Sequence, residues 1–569
     1  RRGAYDRRLL ILLVLGICVW AAIAVRLFTV QILRRDWYSA LATGQRELFQ
    51  QLYPERGEIF VRDRRSSSGL FPIATNRRVY TIYAVPKDIA DPVSAARSLS
   101  PVLGIEETSI VERLTKPGDP YEPLQRRVDN ATRDAVLALG IRGIAAEATL
   151  ERFYPDGPAM SQISGFVGED AEGISGRYGI EGARDRVLAG VSGFLEGERD
   201  PGGRWIMFGK RETVSAQDGS DVILTIEREL QLEVCRKLEA AITAYGAASG
   251  SVVIIHPTTG AIRALCGAPS FDSNQYTETP DIGRFRAPAV VAAYEPGSVF
   301  KPITMAAAID AGVVTPATRF TDTGSVTVDG STITNTDSRV YGDQTMADVL
   351  RFSINTGAVF VARQLGIDRF RDALDRFGFG SLSGVELGGE SPGDTSALAY
   401  RRDVYLATAS YGQGITVTPI QLAVAYAAIA NGGKLMRPYV VAEVVASDGT
   451  IERTEPSIVR QVINSKTATV VAGMLVSVVR DGYPKRAGVS GYLIGGKTGT
   501  AQIPFSDHPG YSSDTIHTFA GVGSIDAPTF AMVVRLDRPR LRFADSTTAP
   551  LFGEIAKFIL QYDGIVPRK

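Results

Sequence analysis

The longest apolar run lies at the amino end, where Leu9 to Val25 is 17 residues without a charge. With the head of Arg26 reaching back to the interface, the run continues through Leu27 and Phe28 to about 30 Å of helix, the thickness of a bilayer core. Arg1, Arg2, Arg7 and Arg8 precede it and predict a cytoplasmic N-terminus, although Arg34 and Arg35 keep the charge asymmetry modest. Ala22-Ile-Ala24 fits the cleavage pattern of a secretory signal, but the run is longer than such signals carry and continues past that site. The pattern therefore predicts a short cytoplasmic segment 1–8, one transmembrane anchor over 9–28 and an exported body. Leu422 to Ala430 is too short to span and reads as a core helix.

Beyond the anchor the pattern changes to short elements. Val252 to Ile255 and Ala261 to Cys266 flank Pro257-Thr-Thr-Gly260, a hairpin signal. Val326-Thr-Val-Asp-Gly-Ser-Thr-Ile333 predicts a second hairpin turning at Asp329-Gly330. Tyr492 to Gly496 and Phe530 to Leu536 read as strands. Helices are predicted after Pro296-Gly297, where Met305 to Ile309 runs to Gly312, within Met346 to Gly366, and at Ile555 to Leu560. An α+β fold follows, an antiparallel sheet covered by helices. About 170 residues separate it from the anchor, with many turn signals and little periodicity, and Gly193 to Gly219 is rich in glycine and charge. At 569 residues the chain exceeds one core. The expected organisation is an elongated mixed N-terminal module over 29–210, a hinge at 211–220 and a catalytic domain over 221–569.

Composition narrows the functions. Lys plus Arg and Asp plus Glu number 62 each, so no basic field attracts nucleic acid, and no nucleic-acid partner is expected. Cys18 lies in the apolar run; Cys235 and Cys266 have apolar neighbours and are expected as buried free thiols rather than a bridge. His256, His508 and His517 show no metal spacing, so no metal and no cofactor are expected, and His517 is assigned a structural or substrate-contact role.

Three islands occur in order: Ser298-Val-Phe-Lys301, Ser353-Ile-Asn355 and Lys497-Thr-Gly-Thr500. Ser298 falls at a helix start with Lys301 one turn on, so a lysine with a depressed pKa can take the serine proton and no histidine is needed. Ser353 can project from a turn and relay a proton, while the Asn355 amide can hold the lysine and a substrate amide. Gly499 leaves a strand edge to which a substrate backbone can add. Thr500 and Ser298 offer backbone N–H groups for an oxyanion hole, and Lys497, Thr498 and Thr500 can grip a carboxylate. Each island alone is a helix cap, a turn or a loop; their joint order is specific.

Tyr294-Glu-Pro-Gly-Ser-Val-Phe-Lys-Pro302 and Gly496-Lys-Thr-Gly-Thr-Ala-Gln502 resemble the active-site segments of penicillin-binding transpeptidases. Leu224-Thr-Ile-Glu-Arg-Glu-Leu-Gln231, Ser410-Tyr-Gly-Gln-Gly414, Thr418-Pro-Ile-Gln421 and His517-Thr-Phe-Ala-Gly521 are similar to further blocks of that domain, from about Asp221 onward. Arg56-Gly-Glu-Ile-Phe60, Arg152-Phe-Tyr-Pro155 leading to Gly165-Phe-Val-Gly168, and Gly176-Arg-Tyr-Gly-Ile-Glu181 resemble the N-terminal module of class B members. Where the family often has an aspartate after the first block, this chain has Val61, with Asp63 two residues later. No region before Arg56 has room for a glycosyltransferase domain, which matches the monofunctional class.

The resemblance implies a serine-type D-Ala-D-Ala transpeptidase that cross-links peptidoglycan stem peptides through an acyl-enzyme on Ser298, with Lys301 as base. Ser353, Asn355 and Lys497 complete the catalytic set, and Thr498, Gly499 and Thr500 bind substrate. Arg56, Gly57, Gly176, Gly179 and Glu181 mark the module, where Arg56 and Glu181 pair for geometry, dock a partner, or do both. Implied partners are a SEDS-family membrane glycosyltransferase, lipid-linked precursor glycan, other division or elongation proteins, and β-lactams as inhibitors. The implied location is the bacterial cytoplasmic (inner) membrane, single-pass, with the catalytic domain outside. Asn355 and Glu295-Pro-Gly favour the division-specific branch over the elongation type. Two other readings stay open: a β-lactamase, for which no deacylating carboxylate is assignable, and a penicillin-sensing or scaffolding protein, against which the intact motifs argue.

Overall fold

The computed structural model describes residues 16, 17, 19–21, 23–29, 47–117, 119–170, 173–198, 211–505 and 507–568. Residues 9–15, 18 and 22 of the expected anchor lie outside that set, and among the described residues no helix is long and apolar enough to cross a membrane. The chain forms two units. The first joins the segment up to Arg56 with Ala189–Gly219; the second comprises Gly57–Leu188 and Ser220–Lys569.

In the first unit Glu47–Leu52, Gly193–Glu198 and Arg211–Val214 form an antiparallel sheet, the middle strand pairing both others. Strands thus stand in the glycine-rich stretch expected as a joint. Phe194 pairs with Val214 and Leu195 with Thr213, and Phe, Val and Thr are residues that favour strands.

The second unit is built on a five-stranded antiparallel sheet, ordered Ile262–Ala268, Ser249–Ile255, Phe530–Asp537, Tyr511–Gly523, Gly495–Pro504. Its central strands carry apolar residues on both faces because both faces are covered. Val252, Ile254, Met532 and Val534 pack under Arg228–Tyr245 and Thr548–Tyr562, while Val253, Ile255, Ala531 and Val533 face the helices Lys301–Asp310, Pro419–Ala430 and Ser465–Asp481. Pro419–Ala430 is the expected core helix, and Thr418 and Gln421 close its start as a reciprocal capping box. The hairpin at Asp329-Gly330 forms with both turn residues at positive φ, +47° and +80°, as a tight two-residue turn requires.

A second sheet unites the two sequence halves of this unit. Ile59–Arg62 pairs in parallel with Asp221–Glu227 and antiparallel with Leu70–Ala84, which carries Glu122–Val128 and Ile144–Phe153. Asp63 is buried and bonded to Arg228, 3.1 Å away, and Arg228 also clasps Asp156 at 2.8 Å. The displaced aspartate therefore still finds a cationic partner, on the first helix of the catalytic half.

The cysteine expectation is corrected. Cys235 and Cys266 form a disulfide, their Cα atoms 5.5 Å apart. Apolar neighbours report burial but not proximity; the helix Arg228–Tyr245 lies on the strand Ile262–Ala268 and brings two residues 31 apart within bridging range.

Candidate active site

The nucleophile segment is a single 3₁₀ turn, Gly297–Phe300, feeding the α-helix Lys301–Asp310. Pro302 sits in the first turn of that helix, where its missing N–H costs nothing. The turn is held from three sides. Gly297 N–H donates to Gly412 O at 2.9 Å, and a Cβ on Gly412 would lie 2.3 Å from Gly297 O, which explains the Ser410-Tyr-Gly-Gln-Gly414 block. The Tyr426 hydroxyl donates to Val299 O (2.7 Å), and that of Tyr294 meets Thr518 Oγ1 (2.9 Å). Glu295 accepts from Gly414 N–H (2.9 Å) and from the Tyr511 hydroxyl (3.2 Å), and burial pushes its carboxyl above the usual range. Ser298 itself stays partly exposed.

Lys301 is 1% exposed. Its Nζ lies 2.6 Å from Ser353 O, 2.7 Å from Asn355 Oδ1 and 3.2 Å from Ser353 Oγ. Burial, and then the charge of Lys497, lower its pKa well below the ordinary 10.5. The consequence is chemical. A neutral amine has two N–H bonds and one lone pair; the two carbonyl-type oxygens can only accept and engage both N–H bonds, leaving the lone pair for a hydroxyl proton. Ser353 occupies the turn between Met346–Arg351 and Asn355–Leu365 with φ of +58°, a left-handed conformation disfavoured for a residue with a Cβ.

The third island lies on Gly495–Pro504, which begins later than the sequence pattern suggested and runs through the motif. Phe519 crowds Gly496, and Leu475 and Ile525 crowd Gly495, so a strand can pass there only with glycine. This is the last strand of its sheet, and among the described residues its outer edge has no partner strand. Lys497 is buried, its amine pushed down to about 7 by desolvation, and it donates to Thr498 O at 3.1 Å. Gly499 has a second reason to lack a side chain: a Cβ would lie 2.7 Å from Pro296 O and 3.2 Å from Val299 Cγ1, inside the nucleophile turn. Thr500 Oγ1 accepts from Ala544 N–H at 3.1 Å. His517, paired with Thr500 across the ladder, is fully buried between Thr547 Oγ1 (2.8 Å) and Thr515 Oγ1 (3.1 Å), and burial pushes its pKa down to about 4. That is a structural histidine.

The module residues serve close backbone packing. A Cβ on Gly57 would lie 2.0 Å from Ser220 O, and one on Gly179 would lie 2.4 Å from Gly165 N. Gly176 N–H donates to Asp185 at 2.7 Å. Glu181 is fully buried and accepts from Arg152 (2.7 Å) and the Tyr154 hydroxyl (3.3 Å), so the Arg152-Phe-Tyr and Gly-Ile-Glu blocks are one interior cluster. Arg56 belongs to the first unit.

Sequence reasoning missed Asp322 and Asn335, both buried beside the second island. Only their position in the short hairpin segment before it could have pointed to them.

Residues 250–557 match the penicillin binding protein transpeptidase domain, and residues 51–224 the penicillin-binding protein dimerisation domain. The chain is 31% identical to stage V sporulation protein D of Bacillus subtilis, over 99% of this chain and 87% of that one. It is 30% identical to the peptidoglycan D,D-transpeptidase FtsI of Escherichia coli, over 91% and 85%. The crystal structure of penicillin binding protein 3 from Mycobacterium tuberculosis, complexed with aztreonam, superposes with a TM-score of 0.69 at 26% identity, covering 91% of this chain and 98% of the other. With the serine, lysine and edge strand arranged as above, the chain belongs to the class B penicillin-binding proteins, the serine-acyltransferase family of peptidoglycan D,D-transpeptidases in which a dimerisation domain precedes the transpeptidase domain.

Proposed function

We propose that the chain cross-links peptidoglycan stem peptides through an acyl-enzyme on Ser298 during septal wall synthesis. The observation that carries this is the buried Lys301 amine, held by Ser353 O and Asn355 Oδ1 one turn from Ser298, with its pKa lowered by burial and by the charge of Lys497. A stem peptide ending in D-alanyl-D-alanine adds along the open edge of Gly495–Pro504. Lys497 and Thr498 hold its terminal carboxylate. Ser298 Oγ attacks the penultimate carbonyl as Lys301 takes its proton; the N–H groups of Ser298 and Thr500 hold the developing oxyanion. Collapse breaks the peptide bond, and the leaving D-alanine amine receives the proton through Ser353. An acceptor amine then attacks the ester, Lys301 and Ser353 take its proton, and the proton passes to Ser298 Oγ as the ester C–O bond breaks. β-Lactams follow the first half and stop there.

Residues 9–28 anchor the chain in the bacterial cytoplasmic membrane with residues 29–210 and 221–569 outside, and a SEDS-family glycosyltransferase supplies the glycan. Asn355 and Glu295-Pro-Gly support the division branch. Penicillin labelling read by mass spectrometry tests the chemistry: the wild type gains a long-lived adduct on Ser298, and Ser298→Ala folds but gains none. Labelling undiminished in that variant overturns the assignment. Depletion in the native cell tests the role, filaments supporting division and spheres elongation.

A further inference from the structure

Among the described residues every acceptor of the Lys301 amine belongs to residues 353–355, so whatever holds those residues holds the base. Asn355–Leu365 begins with Ile354 at its N-cap, which has no side-chain oxygen to meet the first free N–H groups. Asn335, 20 residues upstream, does this instead. Its Oδ1 accepts from Asn355 N–H at 2.9 Å and Thr356 N–H at 3.2 Å. Thr334 O, next to it, accepts from the Asn355 side-chain amide at 2.9 Å, which turns Asn355 Oδ1 towards Lys301.

Asn335 is oriented in turn. Its Nδ2 donates to Asp322 Oδ2 at 2.8 Å and to Arg339 O at 3.0 Å. Asp322 accepts further from Thr356 Oγ1 (2.6 Å), Gly324 N–H (3.0 Å) and Tyr341 N–H (2.8 Å). Burial alone would raise its carboxyl, but these donors hold it below the usual range, so it stays an acceptor-only carboxylate. An acceptor behind Asn335 and backbone donors in front allow only one orientation of its amide. Asp322 and Asn335 are 2% and 3% exposed, and neither bonds to Lys301. The left-handed φ of Ser353 needs a surround that over-determines it, and this network supplies one side.

We propose that Asp322 and Asn335 are positioning residues for acylation, acting through Asn355 and Thr356 to hold the Ser353–Asn355 turn against Lys301. This rests on the acyl-transfer reading above. Asn335→Ala should lower the first-order acylation constant by roughly 10- to 100-fold, by analogy with the loss when a hydrogen-bond partner orienting a metal ligand is removed, with the penicillin dissociation constant within about threefold because Lys497 and Thr498 are untouched. Asp322→Asn sets an amide donor against the Asn335 amide and the Tyr341 N–H and should act similarly. The double variant Asp322→Asn/Asn335→Asp restores an acceptor for the Asn355 and Thr356 N–H groups and a donor behind it, and should recover part of the loss. Thr356→Val, nearly isosteric, removes one donor to Asp322 and should give a smaller loss in the same constant.

Stopped-flow acylation by a chromogenic β-lactam, normalised to the titre of Ser298 sites, reads all four. A lowered acylation constant with the dissociation constant held and partial rescue in the double variant supports the proposal. An unchanged acylation constant in the titrated sites of Asn335→Ala or Thr356→Val, whatever the folded yield, overturns it, as does a loss confined to binding. A wild type that does not label at Ser298 overturns the acyl-transfer reading itself and this proposal with it.

Discussion

Replacing Lys497 by methionine should make the folded chain more stable at neutral pH while impairing its chemistry. The Lys497 amine is pushed from 10.5 down to about 7 by burial. Relative to an exposed lysine this costs the folded state about 4 kcal/mol at pH 7, since each pH unit between the two values is worth about 1.4 kcal/mol. Methionine fills similar volume without the charge but forfeits the hydrogen bond to Thr498 O at 3.1 Å, worth about 1 kcal/mol. The net gain is about 3 kcal/mol at pH 7. Its pH dependence has a definite sign. Between pH 7 and 10.5 the unfolded chain holds the proton and the folded chain has released it, so wild-type stability rises with pH across that window and the advantage of methionine closes by about pH 10. Urea unfolding at pH 7 and 10 measures this, followed by circular dichroism because Trp20, Trp37 and Trp205 all precede the catalytic half. A variant less stable at pH 7, or an advantage of equal size at both pH values, refutes the reasoning.

Lys301→Met should lower acylation by about 10²- to 10⁴-fold, the range for a lost general base, with EDTA without effect on the wild type; the wild-type rate should fall towards acid as the amine protonates, at a pH well below 10.5. Gly499→Ala forces its new methyl against Pro296 O and Val299, and should slow acylation by about 100-fold through misplacement of the nucleophile turn, measured by the same labelling. Glu181→Ala strands the Arg152 charge in the interior and should cost about 3–5 kcal/mol in the thermal stability of the module. Arg56→Ala should leave penicillin labelling within a few-fold of wild type and reduce glycan polymerisation by a co-purified SEDS partner; normal polymerisation by folded, partner-bound protein removes the module from that role.

The three islands could be picked out because the proposed acyl transfer tolerates few alternatives at Ser298, Lys301 and Lys497, and the structure brings the second island onto the Lys301 amine. The antiparallel sheet, the Asp329-Gly330 turn and the buried Pro419–Ala430 helix were legible from alternation, turn chemistry and unbroken apolarity. What did not show was pairing across distance. Cys235 and Cys266 meet only because a helix lies on a strand, and Asp322 reaches Asn335 and Thr356 only through the folding back of a small hairpin segment. The strand Gly193–Glu198 was hidden by glycines that lower β propensity without preventing pairing, and Arg211–Val214 by its four-residue length.

The open edge of Gly495–Pro504 has a cost outside catalysis. An unpaired strand edge is a template for another copy of itself, and a β enzyme that must leave one bare for its substrate risks self-assembly at high concentration. This strand carries its own deterrents: glycines at 495, 496 and 499 that pair weakly, an inward-pointing lysine at 497, and Pro504 at its end. The same lysine proposed to grip substrate would thus keep the edge unattractive to its neighbours, and a variant stabilised by methionine at 497 trades a more stable monomer for an edge more prone to stick.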